Sequence, residues 1–380
     1  MLTIQIVQKG QGLDMSIVGF VLLTMLLAAV VSFAITPLVK AFSVKVGAID
    51  VPKDNRRMHD HPIPRLGGLA IFLGFMFAVV LMVPLNGSER GMLLGAVIIV
   101  VLGIFDDIYA LPAKLKFVVQ IVAALISVLA GNQISILSNP NIFSENPIWV
   151  LDDWLSIALS VIWVVAITNA VNLIDGLDGL ACGVSTISSA AMLIIALLVK
   201  LDVAMIMGAL VGACIGFLPY NFNPAKIFMG DTGATFLGFI MANMSIQGMF
   251  KMYTIISFVA PFLILGLPIF DVCFAVVRRL SKGQSPMRPD RSHIHHRLID
   301  MGLSQKQAVG MLYVISAILG LSAVVLTTSG ALRALIFLAA AGLAALLAWR
   351  VLIVGHTGSY AQHRKPMEDE EEEQHGPSER

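Results

Sequence analysis

Uninterrupted apolar runs of about 20 residues recur along this chain, and each is long enough to cross roughly 30 Å of hydrocarbon at 1.5 Å per residue. The first covers residues 17–38; it is too long for the core of a signal peptide, lacks a basic leader, and reads as a retained span. Hydrophobic residues make up 57% of the 380 and charged residues only 13%, against about 25% charged in an ordinary soluble domain. That surplus cannot all enter one soluble core, so lipid is the solvent for most of the surface. Eleven candidate spans follow, at 16–38, 67–85, 91–105, 116–138, 154–171, 180–199, 203–220, 232–248, 254–277, 308–328 and 331–353. The expected fold is all-α: a polytopic transmembrane bundle over residues 1–355, followed by a tail at 356–380 whose acidic run, Glu368 to Glu373, cannot bury a core.

Basic residues orient the bundle. With the N-terminus outside, the inner loops and the cytoplasmic C-terminal end hold 20 of the 25 Lys and Arg, a strong positive-inside bias. A net charge of +1 provides no global field for nucleic acid. Cys182, Cys214 and Cys273 lie in apolar segments and read as packing residues rather than a disulfide or zinc framework. No repeat of 20 to 50 residues is present.

Nearly every unusual polar residue falls on that inner side. Asp106-Asp107 closes the third span; adjacent carboxylates suit a hard cation such as Mg²⁺, or they are simply a helix end meeting water. Lys114 follows, either reaching back toward an anion or serving as a positive-inside lysine. Asn172-Leu-Ile-Asp175-Gly-Leu-Asp178-Gly sets two acids three residues apart in a loop without a cation, a costly arrangement unless something cationic satisfies them. Asn221-Phe-Asn-Pro-Ala-Lys-Ile-Phe228-Met-Gly-Asp231 leads into a new helix. There Asp231 is an N-cap or a metal ligand beside exposed amides, and Phe228 an interfacial anchor or a base-stacking ring.

Arg291-Ser-His293-Ile-His295-His296-Arg297 packs three imidazoles and two guanidiniums into seven residues, a donor set for a diphosphate, with a zinc site as the rival. The first inner loop, running from Asp50 through Arg65 to Gly67-Gly68, is either a basic anchor on anionic lipid or a flap that offers Arg65 and the glycine backbone to a substrate.

The order and sidedness of these motifs over residues 45 to 300 resemble the polyprenyl-phosphate N-acetylhexosamine-1-phosphate transferase family. The resemblance implies a cytoplasmic cleft in a bacterial cytoplasmic-membrane protein, with Mg²⁺ as cofactor and Mn²⁺ as its substitute. It implies catalytic roles for Asp106, Asp107, Lys114, His293, His295, His296 and Arg297, and a metal held by Asp231 and Asp107. Substrate contacts fall to Arg65, Gly67, Gly68, Asn172, Asp175, Asp178, Asn221, Phe228 and Arg291. His-Ile-His-His-Arg-Leu and the Asn-Arg-Arg-Met-His loop look like the branch using UDP-GlcNAc and undecaprenyl phosphate, since Ile294 breaks the run of three histidines usual in the peptidoglycan-precursor branch. UDP-GalNAc and UDP-MurNAc-pentapeptide are the alternative donors. By analogy alone, two copies pair as a homodimer. The product would be undecaprenyl-diphosphate-GlcNAc, the first membrane intermediate of a surface polysaccharide or teichoic acid, with UMP leaving. An ion-coupled transporter fits less well because the acids sit at helix ends on one side. The CDP-alcohol phosphotransferases place Ala-Arg soon after their Asp-Gly, whereas Cys182 follows Ala181 here.

Overall fold

In a computed structural model, the structure describes residues 15–52, 61–138, 148–199, 203–250, 255–281 and 293–329, with isolated positions 283, 333, 335, 337, 338 and 342. The described chain is a helical bundle. Its helices are α1 (Met15–Lys45), α2 (Gly68–Met82), α3 (Gly87–Tyr109), α4 (Ala113–Leu129), α5 (Asp153–Leu173) and α6 (Leu180–Leu198). They continue as α7 (Ala204–Asn221), α8 (Gly230–Ser245), α9 (Ile255–Ile264), α10 (Gly266–Ser281), α11 (Ile294–Asp300) and α12 (Gln305–Ser329). Among the described residues, six helices are long and apolar enough to cross a membrane, namely α1 from Ile17, α3, α5, α6, α7 and α12 to Thr327. The eleventh expected span and the acidic tail lie outside the described residues, isolated positions apart.

Two departures from an all-helical chain appear in the loops. Strands β1 (Ile49–Asp50) and β2 (Ile63–Pro64) pair antiparallel at the end of the bundle where α3 finishes, and β3 (Ile136–Ser138) pairs with β4 (Ile148–Val150) beyond α4. The span expected at 254–277 is a third departure, because it is broken at Leu265 into α9 and α10. Pro268 lacks the N–H that would bond the Ile264 carbonyl. Ser188 of α6 donates its hydroxyl to that orphaned carbonyl at 2.8 Å, so the break is stapled to the bundle.

Close helix contacts use small residues, as expected where lipid removes the hydrophobic drive between helices. Gly208, Gly212 and Gly216 form one stripe on α7 against α1: a Cβ at Gly212 would lie 2.0 Å from the Met25 carbonyl oxygen, and one at Gly216 2.2 Å from that of Ala29. Gly212→Leu is therefore expected to separate α1 from α7 and to lower the melting temperature in detergent by several degrees, because backbone cannot yield as a side chain can. An unchanged melting curve would show that the contact is dispensable.

Helix α8 is the centre of the bundle, packed by α2, α3, α5 and α6. All of its residues are buried except Asp231. Backbones reach it closely: a Cβ at Gly68 would meet Gly233 N at 2.0 Å, one at Gly103 the Thr232 Cα at 2.4 Å, and one at Gly238 the Thr168 Cα at 2.7 Å. A helix apolar on every face belongs in an interior. Its first turn, where four N–H groups lack helical partners, carries the acid.

Candidate active site

The frame of the site is two loops paired by backbone. Phe228 N–H donates to the Pro64 carbonyl, Gly67 N–H to that of Phe228 and Gly68 N–H to that of Met229, each at 2.8 Å. A Cβ at Gly67 would lie 2.3 Å from the Phe217 ring. Gly67 and Gly68 thus use their amides to join loop to loop and α2 to α8, which corrects the expectation that they present backbone to a substrate. What this pairing delivers is Arg65, whose own N–H is held by the Ala48 carbonyl at 3.0 Å.

Asp107 is buried and saturated. It accepts from Arg65 Nε at 3.0 Å and Arg65 NH2 at 2.9 Å, and from Asp231 N–H at 3.0 Å, Thr232 N–H at 3.1 Å and the Thr232 hydroxyl at 2.7 Å. A carboxylate has about four lone-pair sites, and here all are engaged by donors of the protein itself. Asp107 caps α8 and anchors Arg65. The bridging Gly230 has φ +71°, and a Cβ there would lie 2.0 Å from the Arg65 carbonyl oxygen. Only glycine tolerates both conditions.

Asp106 faces the other way. One oxygen accepts Leu111 N–H at 2.8 Å, and the other takes Lys116 Nζ at 2.7 Å. The same ammonium reaches Asp231 at 3.1 Å, while Arg65 NH2 stands 3.8 Å from the other Asp231 oxygen. Asp231 therefore sits at the positive end of α8 between two cations. Lys114, the lysine singled out from sequence, is exposed.

Beside this cluster lies a cleft of about 340 Å³, lined among others by Arg65, Asp175, Asp178, Phe228, Asp231 and His296. A crevice of about 20 Å³ opens between α3, α4, α5 and α8, lined by Asp106, Lys116, Gln120, Asn172 and Asp231 among others. Asp231 borders both. Burial, aided by the negative charges of Asp231 and Asp107, pushes the Asp175 carboxyl up to about 8. Asp178 and Asn221 also staple the loop before α8: Asp178 accepts from Ala225 N–H at 3.0 Å, and Asn221 Nδ2 donates to the Ile227 carbonyl at 3.1 Å.

The histidine motif forms a column. His293 Nδ1 meets Asp271 at 2.8 Å, and the other Asp271 oxygen accepts Ile294 N–H at 2.8 Å, setting the start of α11. His295 stacks on His293 at 5.9 Å between ring centroids and lies 4.3 Å from His296. It also packs so tightly on the acidic loop that a Cβ at Gly176 would fall 2.1 Å from its Nε2. Burial and the neighbouring His296 bring His295 down to about 4, so it is a neutral ring at pH 7. Of the three histidines, His296 lines the cleft. Arg297 is exposed and lies over the Phe274 ring at 5.4 Å rather than in the cleft, which corrects its expected catalytic place. Arg291 falls outside the described residues.

Asp271 was not anticipated, since an acid inside an amphipathic helix gives no sign of the histidine it will meet. Asp271→Ala is expected to cut turnover about 100-fold by letting the histidine column shift, with Asp271→Asn less affected because it keeps an acceptor for one of the two contacts. An Ala variant with the parent rate would refute this positioning role.

The glycosyl transferase family 4 model matches residues 90–249, from α3 through α8. A protein of Bacillus subtilis (strain 168), named a probable undecaprenyl-phosphate N-acetylglucosaminyl 1-phosphate transferase, is 43% identical over 297 residues, 78% of this chain and 82% of its own length. This chain belongs to that family. Within glycosyl transferase family 4 it is also similar to the decaprenyl-phosphate N-acetylglucosaminephosphotransferase of Mycolicibacterium smegmatis, 35% identical over 80% of each chain. A third relative is the undecaprenyl-phosphate alpha-N-acetylglucosaminyl 1-phosphate transferase of Salmonella typhi, 30% identical over 74% of this chain and 77% of its own. The family match contains Asp106, Lys116, Asp175 and Asp231, while Arg65 and the histidine column are brought to them from outside it. Among the described residues, no group of three or more His, Cys, Asp or Glu side chains is arranged to hold a metal ion. A divalent cation at this family site would take Asp231 and draw its remaining ligands from substrate phosphates and water, as Mg²⁺ commonly does.

Proposed function

We propose that this protein transfers GlcNAc-1-phosphate from UDP-GlcNAc to undecaprenyl phosphate, releasing UMP. The observation that carries the reading is Asp231: the one unburied residue of the central helix, flanked by Arg65 and Lys116, at the junction of an open cleft and a crevice among helices. The cleft suits the nucleotide donor. The crevice, narrow and lined by Lys116, suits the phosphate of a lipid arriving between helices.

In the proposed reaction an oxygen of the lipid phosphate attacks the sugar-bound phosphorus, the bond from that phosphorus to the UMP oxygen breaks, and UMP departs. Such a transfer needs in-line placement and charge neutralisation more than a covalent intermediate. Lys116 holds the incoming phosphate, Arg65 and His296 meet the diphosphate, and Asp106 orients Lys116. A phosphate monoester with a second pKa near ~6 is largely dianionic already, so proton removal contributes little. Mg²⁺, with Mn²⁺ as its substitute, would neutralise diphosphate charge beside Asp231.

The relatives' printed names support both the GlcNAc donor and the polyprenyl acceptor. The excess of basic residues supports a site facing the cytoplasm of a bacterial membrane, with eleven spans and the N-terminus outside. The product then opens a surface polysaccharide or teichoic acid pathway. The test is UMP release by purified protein in detergent with undecaprenyl phosphate and Mg²⁺, comparing UDP-GlcNAc, UDP-GalNAc and UDP-MurNAc-pentapeptide. Release from UDP-GlcNAc alone is expected. No UMP from any of the three would end the transferase reading, and preference for another sugar would move the donor.

A further inference from the structure

Along one rim of the cleft the side-chain amides are oriented by a chain of hydrogen bonds. Oδ2 of Asp178 accepts Ala225 N–H at 3.0 Å and Asn223 Nδ2 at 2.9 Å. An acceptor oxygen there requires the nitrogen of Asn223, not its oxygen, to face it. The same Nδ2 gives its second hydrogen to Gln305 Oε1 at 2.7 Å. The Gln305 amide is thereby fixed with its carbonyl toward Asn223, and its Nε2 makes no hydrogen bond among the described residues.

Its mount is rigid. Gln305 is the first residue of α12, whose start is set by a capping box: Gln307 N–H donates to the Ser304 hydroxyl at 3.4 Å, and Ser304 N–H to Gln307 Oε1 at 2.9 Å. Farther along the helix, the Tyr313 hydroxyl donates to the Gly179 carbonyl at 2.5 Å, tying α12 to the end of the acidic loop. Gln305 lines the cleft with Phe228 and Leu177, an aromatic and an aliphatic wall, and its partners are not those of the Arg65–Asp231–Lys116 cluster.

We propose that Gln305 reads the nucleobase of the donor, its Nε2 donating to a pyrimidine carbonyl and so selecting uracil over cytosine. The inference rests on the donor assignment above. Uracil carries a carbonyl at the ring position where cytosine carries an amino group. A fixed N–H donor pairs with the first and confronts hydrogen with the second, and sites built on such pairing discriminate well against the analogue that breaks it.

The experiment compares binding of UDP and CDP, which carry equal charge, to the full-length protein in detergent. Gln305→Glu keeps an acceptor for Asn223 but replaces both free N–H donors with lone pairs. The preference for UDP over CDP is expected to fall about tenfold in that variant, and Gln305→Met, which has no donor, should lose the preference as well. If Gln305 serves only to staple α12, Gln305→Glu leaves the ratio untouched, and that outcome overturns the proposal. Equal binding of the two nucleotides by the parent protein would overturn it too. A parent protein that releases no UMP from UDP-GlcNAc fails the donor assignment itself, a separate and recognisable result.

Discussion

Lys116→Met is expected to lower kcat by about 10²–10³-fold, the loss typical when one preorganised electrostatic group is removed from a site of developing charge. Its ammonium contacts Asp106 at 2.7 Å and Asp231 at 3.1 Å, so its removal leaves two carboxylates facing each other at the mouth of the crevice. The paired control is Lys114→Met, two residues away on the same helix and exposed, which should keep close to the parent rate. Lys116→Arg should recover part of the loss, since it restores the charge with a different shape. UMP release under saturating donor and acceptor measures all three. A loss at Lys114 with none at Lys116 would return the role to the residue first suggested by the sequence.

The second large effect separates two neighbouring acids by what each does. Asp231→Asn is expected to reduce turnover by about 10³-fold with little change in melting temperature, because Asp231 faces the cleft and does not cap α8. Asp107→Ala should instead lower the melting temperature by several degrees. It strips the cap from two α8 amides and a hydroxyl, and leaves the Arg65 guanidinium without its buried partner. Loss of such a shared acceptor costs about 1–3 kcal/mol for each group left unsatisfied, and more for a charged one. Thermal melts and UMP release on the same preparations distinguish the two. Equal destabilisation by both substitutions would mean that Asp231 is structural.

These contrasts mark how far the residues could be read in advance. Asp106, Asp175, Asp178, Asn221, Phe228, Asp231 and His296 were legible as candidates because polar groups at the ends of apolar runs are costly unless used, and the structure places them along one cleft and its adjoining crevice. Lys114 was the lysine singled out, and Lys116, two residues on in the same short segment, was not named. On a helix, two residues are separated by about 200°, so only one of them can face α3 and α8. The buried Gln120, Ala123, Ala124 and Ser127 continue the Lys116 face at helical spacing, a signal present in the sequence but decisive only once α4 is known to begin at Ala113. Gly67 and Gly68 were noticed for the right reason, close approach, but what approaches them is the backbone and ring of their own chain rather than a ligand.

By itself the sequence determined the helical class and the apolar runs suited to a membrane, because hydrocarbon thickness acts on local runs of residues, and its charge asymmetry carries the expectation that the chemistry lies on the inner side. The tertiary structure alone decided which charges meet. It turned Asp107 inward as a cap, moved Lys116 between Asp106 and Asp231, hung Arg297 outside over Phe274, and joined His293 to Asp271 on the helix that follows the break at Leu265. Those pairings depend on the rotation of each helix about its axis and on the closeness that glycine permits. Both are settled by packing between segments far apart in the chain, which no local pattern encodes.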